Sequence, residues 1–235
     1  MEEKKLPPRL SAIADWVPQA AKLADVGTDH ALLPLWLLKK ERIRSAVATD
    51  IHLQPLQRAQ RNALDAREER IRFVLCDGLA GVEAHEVDTV VIAGLGGENI
   101  ADILRRTPWA CAEGMTLLLQ PMSRTEELCR AFFSLGLQLQ RIRLVEDSGR
   151  IYPIFALSAG SMPPWKEGEY YTGPFSSLEN DPLLPRFLSV QKRRLQNAVE
   201  GLTLSRRDAD RLCSLQEAMN DIDAELKKVS KRGIS

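Results

Sequence analysis

Between residues 22 and 160, short apolar runs rich in Val, Ile and Leu alternate with longer segments whose apolar positions recur every three or four residues. Runs of this kind, closed by Gly, Asp or Pro, predict buried strands near 22–26, 46–50, 71–75, 88–93 and 115–120. The helical segments fall between them, so the chain reads as an α/β sheet of parallel strands joined by helices. Pro55 sits in the first turn of a helix over 54–66, where its missing N–H costs nothing, and Gly136 is suited to terminate a helix over 124–135. Ahead of the first strand Leu10, Ile13, Ala14 and Val17 repeat at helical spacing and predict a covering helix that Pro18 limits.

After residue 136 the pattern changes. "LQLQRIRLVEDSGRIYPIFALSAG" predicts strands over 137–146 and 151–158 joined by a turn at Asp147-Ser148-Gly149, hence antiparallel neighbours. Parallel strands followed by one hairpin are the element order of the Rossmann-like sheet of class I methyltransferases, whereas a dinucleotide dehydrogenase more often continues with another βα unit. Residues 161–182, rich in Pro, Gly and Ser, read as a connector from this domain, 1–160, to a second unit over 183–235. There Leu184, Leu188, Gln191, Leu195, Ala198 and Leu202, then Leu212, Leu215, Met219, Ile222, Leu226 and Val229, predict two heptad helices turning near 203–208 into an antiparallel coiled-coil hairpin that leans on the sheet domain or a partner.

A length of 235 residues allows one enzyme-sized core and this appendage. Lys+Arg and Asp+Glu balance at 32 each, so net charge says nothing about partners. Cys76, Cys111, Cys129 and Cys213 form no CxxC pair and the start "MEEKKLPPRL" has no apolar leader, which predicts reduced thiols and a cytoplasmic protein. Apolar runs such as Thr89 to Ala93 are far short of the roughly 18 residues a membrane span needs. His30, His52 and His85 show no metal-ligand spacing, so no metal is expected, and nothing requires an oligomer.

Ligands of open α/β sheets bind beyond the carboxyl ends of the strands, where strand order reverses. The first strand ends in "LADVGTDHALLP", with Asp25 and with Gly27 to let backbone approach a ligand while the next N–H groups point at it. The second ends in Asp50, 23 residues beyond Gly27 and near the spacing of a carboxylate that accepts from ribose hydroxyls. The third ends in Cys76-Asp77-Gly78, a carboxylate for an adenine amino group beside a glycine that admits the ring; the fourth ends in "AGLGG", which brings Ala93 and Gly94 to the same place. Any one of these aspartates reads equally well as a turn or helix cap. Three in succession followed by a glycine cluster favour an adenosine site.

"ADVGTDHALLP", "ATDIHLQPLQRA", "DGL" and "IAGLGGENIADIL", in that order and spacing, closely resemble the bacterial tRNA (adenine(22)-N1)-methyltransferase family, TrmK. The resemblance extends to "LPPRLSAIADWV", "LLLQP" and "TGPF" and so covers nearly the whole chain. Leu32, Met122 and Pro153 depart from the family's more frequent Tyr, Asn and Glu, at positions that bear on substrate rather than cofactor. The resemblance implies S-adenosyl-L-methionine as cofactor, tRNA as partner, and methylation of N1 of an adenine.

On that basis Asp29 is the candidate catalytic residue. A sulfonium cofactor tolerates a nearby carboxylate, and Asp29 would accept from the adenine N6 amino group while stabilising the positive charge of the product ring; a cap on a helix starting near Leu32 is the structural alternative. His30 would pack against the cofactor. From Arg186 to Arg211 seven basic residues, Arg186, Lys192, Arg193, Arg194, Arg206, Arg207 and Arg211, face three acidic ones, and Lys192, Arg193 and Arg194 suit phosphate contacts. Arg9 is a candidate for an anionic group near the target base, and Tyr152 for a stacking surface. Rival readings are a methyltransferase of the same fold acting on a small molecule or protein, and a non-catalytic tRNA-binding protein.

Overall fold

The structure, a computed structural model, describes residues 5–205 and 209–232. A short helix α1 (Pro8–Ala14) precedes β1 (Ala21–Val26), and α2 (Leu32–Lys39), β2 (Ile43–Asp50), α3 (Leu53–Ala66), β3 (Ile71–Leu75), β4 (Thr89–Gly96), α4 (Gly97–Arg106), β5 (Thr116–Ser123) and α5 (Thr125–Ser134) follow in turn. The hairpin β6 (Leu137–Asp147) and β7 (Arg150–Ala159) completes one sheet of order β3-β2-β1-β4-β5-β7-β6. β1 pairs in parallel with both β2 and β4, so strand order reverses there, and β7 lies antiparallel against β5.

Most departures from the predicted boundaries are extensions. β2 starts at Ile43, pairing with Ala21, and the ladder resumes at Ser45 opposite Lys22 after a register shift at Arg44; the polar side chains of Arg44 and Ser45 mask this start in the sequence. β4 continues through the glycine cluster to Gly96, with Leu95 opposite Pro121 and Gly96 opposite Ser123 after a register shift. Gly136 has the left-handed φ of +64° that a helix terminator needs.

The stretch read as a connector folds into α6 (Glu167–Thr172) and α7 (Phe175–Leu178), and it buries Tyr170, Phe175 and Leu178 in the main core. Trp165 meets Phe132 and Phe133 of α5 edge to face, with ring centroids 6.2 and 5.6 Å away. Its four prolines and two glycines break helical periodicity, so these buried positions carry no pattern in the sequence.

The last two helices, α8 (Leu184–Ser205) and α9 (Ala209–Arg232), form the predicted antiparallel pair; residues 206–208, including Arg206 and Arg207, lie outside the described residues. Leu184, Phe187, Leu188 and Leu195 of α8 and Leu215, Ala218 and Ile222 of α9 belong to the same apolar cluster as the sheet, each fully buried Leu or Phe stabilising by about 1.5–3 kcal/mol. Gly168 N–H donates to Asp221 at 3.1 Å, and Arg186 grips Glu146 of β6 through two bonds of 2.7 Å, so the helical pair is fastened to the sheet domain along its near half. Ala198, an expected seam position, is exposed, and Val199 and Leu202 pack against the core in its place.

Candidate active site

Asp25 ends β1 almost completely buried, and burial pushes its carboxyl up to about 6. The Thr28 hydroxyl beside it opposes the shift without making a hydrogen bond of normal geometry, and the charge of Asp50 adds to it. Gly27 takes a φ of +73°, as the turn requires. Its N–H and that of Thr28 do not point at a ligand as expected: both donate to Thr49 O at 2.9 Å, tying the turn to β2. Beyond Asp29, His30 and Ala31 are left-handed without being glycine, with φ of 64° and 50°, a conformation costing about 1–3 kcal/mol at each. Asn62 of α3 holds this turn by donating to His30 O at 2.9 Å.

Asp29 is 65% exposed at its side chain, and the cap role open in the sequence is not what it does. Ala31 is the N-cap of α2 and no side chain bonds there. Arg58 Nη2 lies 3.4 Å from Asp29 Oδ1, and His30 Nε2 is also 3.4 Å from it, so the exposed Asp29 stands between two nitrogen groups. Arg58 and Asn62 lie on α3, and neither is distinguishable in sequence from an ordinary polar helix position.

At the end of β2, Asp50 Oδ1 accepts from His52 N–H at 2.7 Å, a turn that uses one oxygen and leaves Oδ2 without a partner among the described residues. Ile51, Leu53 and Leu75 beside it are all more than half exposed, a cluster of apolar side chains suited to the face of a planar ring. Asp77, by contrast, is already engaged. Arg106 of α4 donates to both of its oxygens at 2.6 and 3.2 Å and holds its carboxyl below the usual range. It stays ionised with lone pairs left for a further donor, but Arg106 is a partner the sequence did not suggest.

Gly78 corrects an expectation in its reason. A Cβ there would lie 2.8 Å from Ile103 Cγ1, so the glycine admits the side chain of α4, not a ring. Thr49 Oγ1 donates to Gly78 O at 2.8 Å and completes the tie between β2 and the loop after β3. Ala93 and Gly94 follow Ile92, the last residue of β4 paired with β1, and Gly94, with φ of +87°, carries no side chain that would meet Arg9 Nη1, 3.3 Å from the Cβ position.

Arg9 reaches over from α1. Its Nε donates to Asp147 at 3.0 Å and its Nη1 to the fully buried Gln120 at 3.4 Å. Tyr152 on β7 is only 7% exposed, so the stacking surface expected of it is covered. On α8, Lys192 bonds Asp223 of α9 at 2.7 Å and holds the hairpin together, whereas Arg193 and Arg194 are exposed. Burial raises the thiols of Cys111, to about 11, and Cys129, so neither is a nucleophile near neutrality. Among the described residues no three His, Cys, Asp or Glu side chains gather as metal ligands, and no helix is long and apolar enough to cross a membrane.

The strand order with its closing hairpin, the carboxylates ending β1, β2 and β3 and the glycine ending β4 define a class I methyltransferase fold. A family model described as a methyltransferase domain matches residues 6–155. The chain is 26% identical over 209 residues to the tRNA (adenine(22)-N(1))-methyltransferase of Bacillus subtilis strain 168, covering 86% of this chain and 88% of that protein. Streptococcus pneumoniae Sp1610 is similar at 30% identity, with 96% and 100% of the two chains covered and a TM-score of 0.81. Its complex with S-adenosyl-L-methionine matches at 31% identity over 93% and 98% of the chains, with a TM-score of 0.75. The chain belongs to the tRNA (adenine(22)-N1)-methyltransferase family, TrmK.

Proposed function

We propose that this protein transfers the methyl group of S-adenosylmethionine to N1 of an adenine in tRNA, adenine 22, with Asp29 as the catalytic carboxylate. The observation that carries the reading is the strained turn after β1, which presents an uncapped, ionisable Asp29 beside the strand-order reversal in a chain of this family. The residues present fit the cofactor: Asp50 Oδ2 for ribose hydroxyls, Ile51, Leu53 and Leu75 for the adenine face, and Asp25, Gly27, Asp77, Ala93 and Gly94 around them, with His30 at the rim. When bound, S-adenosylmethionine supplies an electrophilic methyl on a cationic sulfur.

Adenine N1 has an in-plane lone pair and needs no base to attack, but the methylated ring gains a positive charge. Asp29 accepts from N6, which orients N1 and offsets the charge as it develops. Arg58 and His30 hold the carboxylate for this contact. The adenine must leave its stack to arrive there, and the exposed Arg193 and Arg194 hold the tRNA backbone from α8. Four free cysteines and a tRNA substrate fit a cytoplasmic place of action.

The test is methyl transfer from labelled cofactor to unmodified tRNA, followed by nuclease digestion and nucleoside mass analysis. N1-methyladenosine is expected, and its absence with intact cofactor binding would move the acceptor elsewhere. Replacing Arg193 and Arg194 together by Ala should weaken tRNA binding uniformly across sequences and make its dependence on log salt shallower by roughly 1 to 2; an unchanged slope removes α8 from the RNA surface.

A further inference from the structure

Between the sheet domain and the helical hairpin lies a cleft of about 520 Å³, of a size that holds a nucleoside. It adjoins the carboxyl ends of β4 and β5. Glu98 of α4 and Arg124 ahead of α5 line it, both within two residues of those strand ends, where Gly96 pairs with Ser123. A Cβ at Gly97 would collide with Arg124 O, so this glycine lets the two helix starts close on each other. Glu126, Glu127 and Arg130 continue the wall along α5, and α6 and α9 complete it with Tyr171 and Arg211.

Arg124 is unfavourable for its own helix. It stands at the N-cap of α5 with a left-handed φ of 52° and no side-chain cap bond, and its cation sits at the positive end of the helix dipole. Glu98 at 3.8 Å and Glu126 at 3.9 Å hold it only loosely, beyond hydrogen-bond length. Glu127, three residues on and so on the same side of the helix, has no partner among the described residues. Tyr171 is half-buried; burial and then the charge of Glu126 raise its phenol, so the ring is neutral near pH 7. Arg130 is engaged with Glu167 at 2.5 Å and over the Tyr170 ring at 4.2 Å. With Arg130 so neutralised, the three glutamates of the wall outnumber its other two arginines, and a phosphate would be repelled. The wall suits a neutral, planar group with donors and acceptors along one edge, which is a nucleobase. Guanine alone of the four bases carries two adjacent donors, N1–H and N2–H, beside an acceptor, O6, and a carboxylate and a guanidinium side by side on one helical turn match that edge.

We propose that this cleft takes a guanine of the tRNA close to the target adenine, stacked on Tyr171, with Glu127 accepting from N1–H and N2–H and Arg124 donating to O6. The inference rests on tRNA being the acceptor and adds a second base site to that reading. The cleft then selects which tRNA is methylated, whereas Arg193 and Arg194 supply affinity without sequence.

The experiment measures kcat/KM of the full chain on unmodified tRNA transcripts, each with one guanosine near the target adenine replaced by inosine, which lacks the N2 amino group. At one position inosine should lower kcat/KM of the wild type roughly 10-fold. Glu127→Gln should lose roughly 10-fold on the guanosine transcript and almost nothing more on that inosine transcript, since both changes remove the same contact. Weaker pairing by inosine acts on both enzymes alike and cancels in the comparison. Tyr171→Leu should raise KM for tRNA roughly 10-fold, and Tyr171→Phe, which keeps the ring, should recover most of that.

The guanine site is overturned if the losses from inosine and from Glu127→Gln add at every position. It is also overturned if Arg124→Gln makes the dependence of affinity on log salt shallower by about 1 with no guanosine preferred, the signature of a phosphate contact. Methylation of every transcript at the same rate by the wild type overturns the site alone. No transfer to any transcript, with S-adenosylmethionine still bound, overturns the tRNA reading and the site with it.

Discussion

At the ends of β1, β2 and β3 the crevice is tied mainly by backbone groups of adjoining strands: Gly27 and Thr28 donate to Thr49 O, Cys76 donates to Asp50 O, and Thr49 Oγ1 donates to Gly78 O. On the other side, around the ends of β4, β5 and β6, the ties are charged or amide side chains far apart in the chain. Arg9 meets Gln120 across 111 residues and Asp147 across 138. The first side is fixed by the sheet's own hydrogen bonds, which suits the cofactor site proposed there, for a ligand that is the same at every turnover. The second is held by groups whose partners can be exchanged for a ligand's oxygens, which suits the side that receives and releases. The prediction of largest effect falls where the two sides meet. Asp29→Ala should lower methyl transfer to tRNA by about 100-fold or more while changing cofactor affinity little; single-turnover rates beside cofactor titration check it. A parallel loss of cofactor affinity would place Asp29 on the first side instead.

That division also decides what the sequence discloses. The placement of Asp25, Gly27, Asp50 and Asp77 at the ends of neighbouring strands is legible because a strand end followed by a turn residue is a local signal, and the 23-residue step from Gly27 to Asp50 follows from one βα unit. The same locality left the cap reading of Asp29 open, since only the left-handed Ala31 at the head of α2 separates the two roles. Arg106, Arg58 and Asn62 were missed because a polar residue on a helix looks alike whether it faces water or a carboxylate on the neighbouring element. Arg9 was singled out in the sequence as a cation for an anionic group, but its partners in the fold were not legible, because a pairing across 138 residues leaves no period or spacing to read. In the fold, α6 and α7 were hidden for the opposite reason: buried positions there do not repeat, so Pro and Gly dominate the pattern.

Two glycines allow the comparison to be sharpened with one kind of substitution. Gly78 and Gly94 both take positive φ, so alanine strains the backbone by about 1–2 kcal/mol at either. At Gly78 the added methyl also meets Ile103 at 2.8 Å within packed core, and the total should reach about 2–4 kcal/mol of lost stability. At Gly94 it meets the end of a flexible arginine at 3.3 Å, so Gly94→Ala should keep most of its stability and lose ligand affinity through displaced Arg9. Urea unfolding and cofactor and tRNA titrations separate the two outcomes. Equal destabilisation by both variants would erase the distinction between a packed side and an adjustable one.

The smallest effect tests the first side from within. Asp25 is buried with its carboxyl raised to about 6 from an ordinary 3.8, so the folded state binds this proton more tightly than the unfolded chain does. The stabilisation from that proton is complete below about pH 3.8, declines as pH rises toward 6 and is absent above it, so the ionised Asp25 costs the ligand-free protein about 3 kcal/mol at pH 8. Asn removes the charge but brings an amide that must find partners beside Asp50, so Asp25→Asn should gain only about 1–2 kcal/mol at pH 8. The gain should shrink steadily as pH is lowered through 6 toward 4, where the wild-type carboxyl is itself neutral. Cofactor affinity should fall in the same variant, because a carboxylate kept in a place that resists its charge is there for a donor the ligand brings. Urea unfolding at pH 8, 6 and 4, set beside cofactor titration at pH 8, checks both halves. A variant less stable than wild type at pH 8 would mean that the neighbouring N–H groups already satisfy the ionised Asp25 in the free protein. The ends of β1 to β3 would then be a charge-compensated structure complete without ligand, and the rigidity of that side would no longer be evidence of a site held open for one.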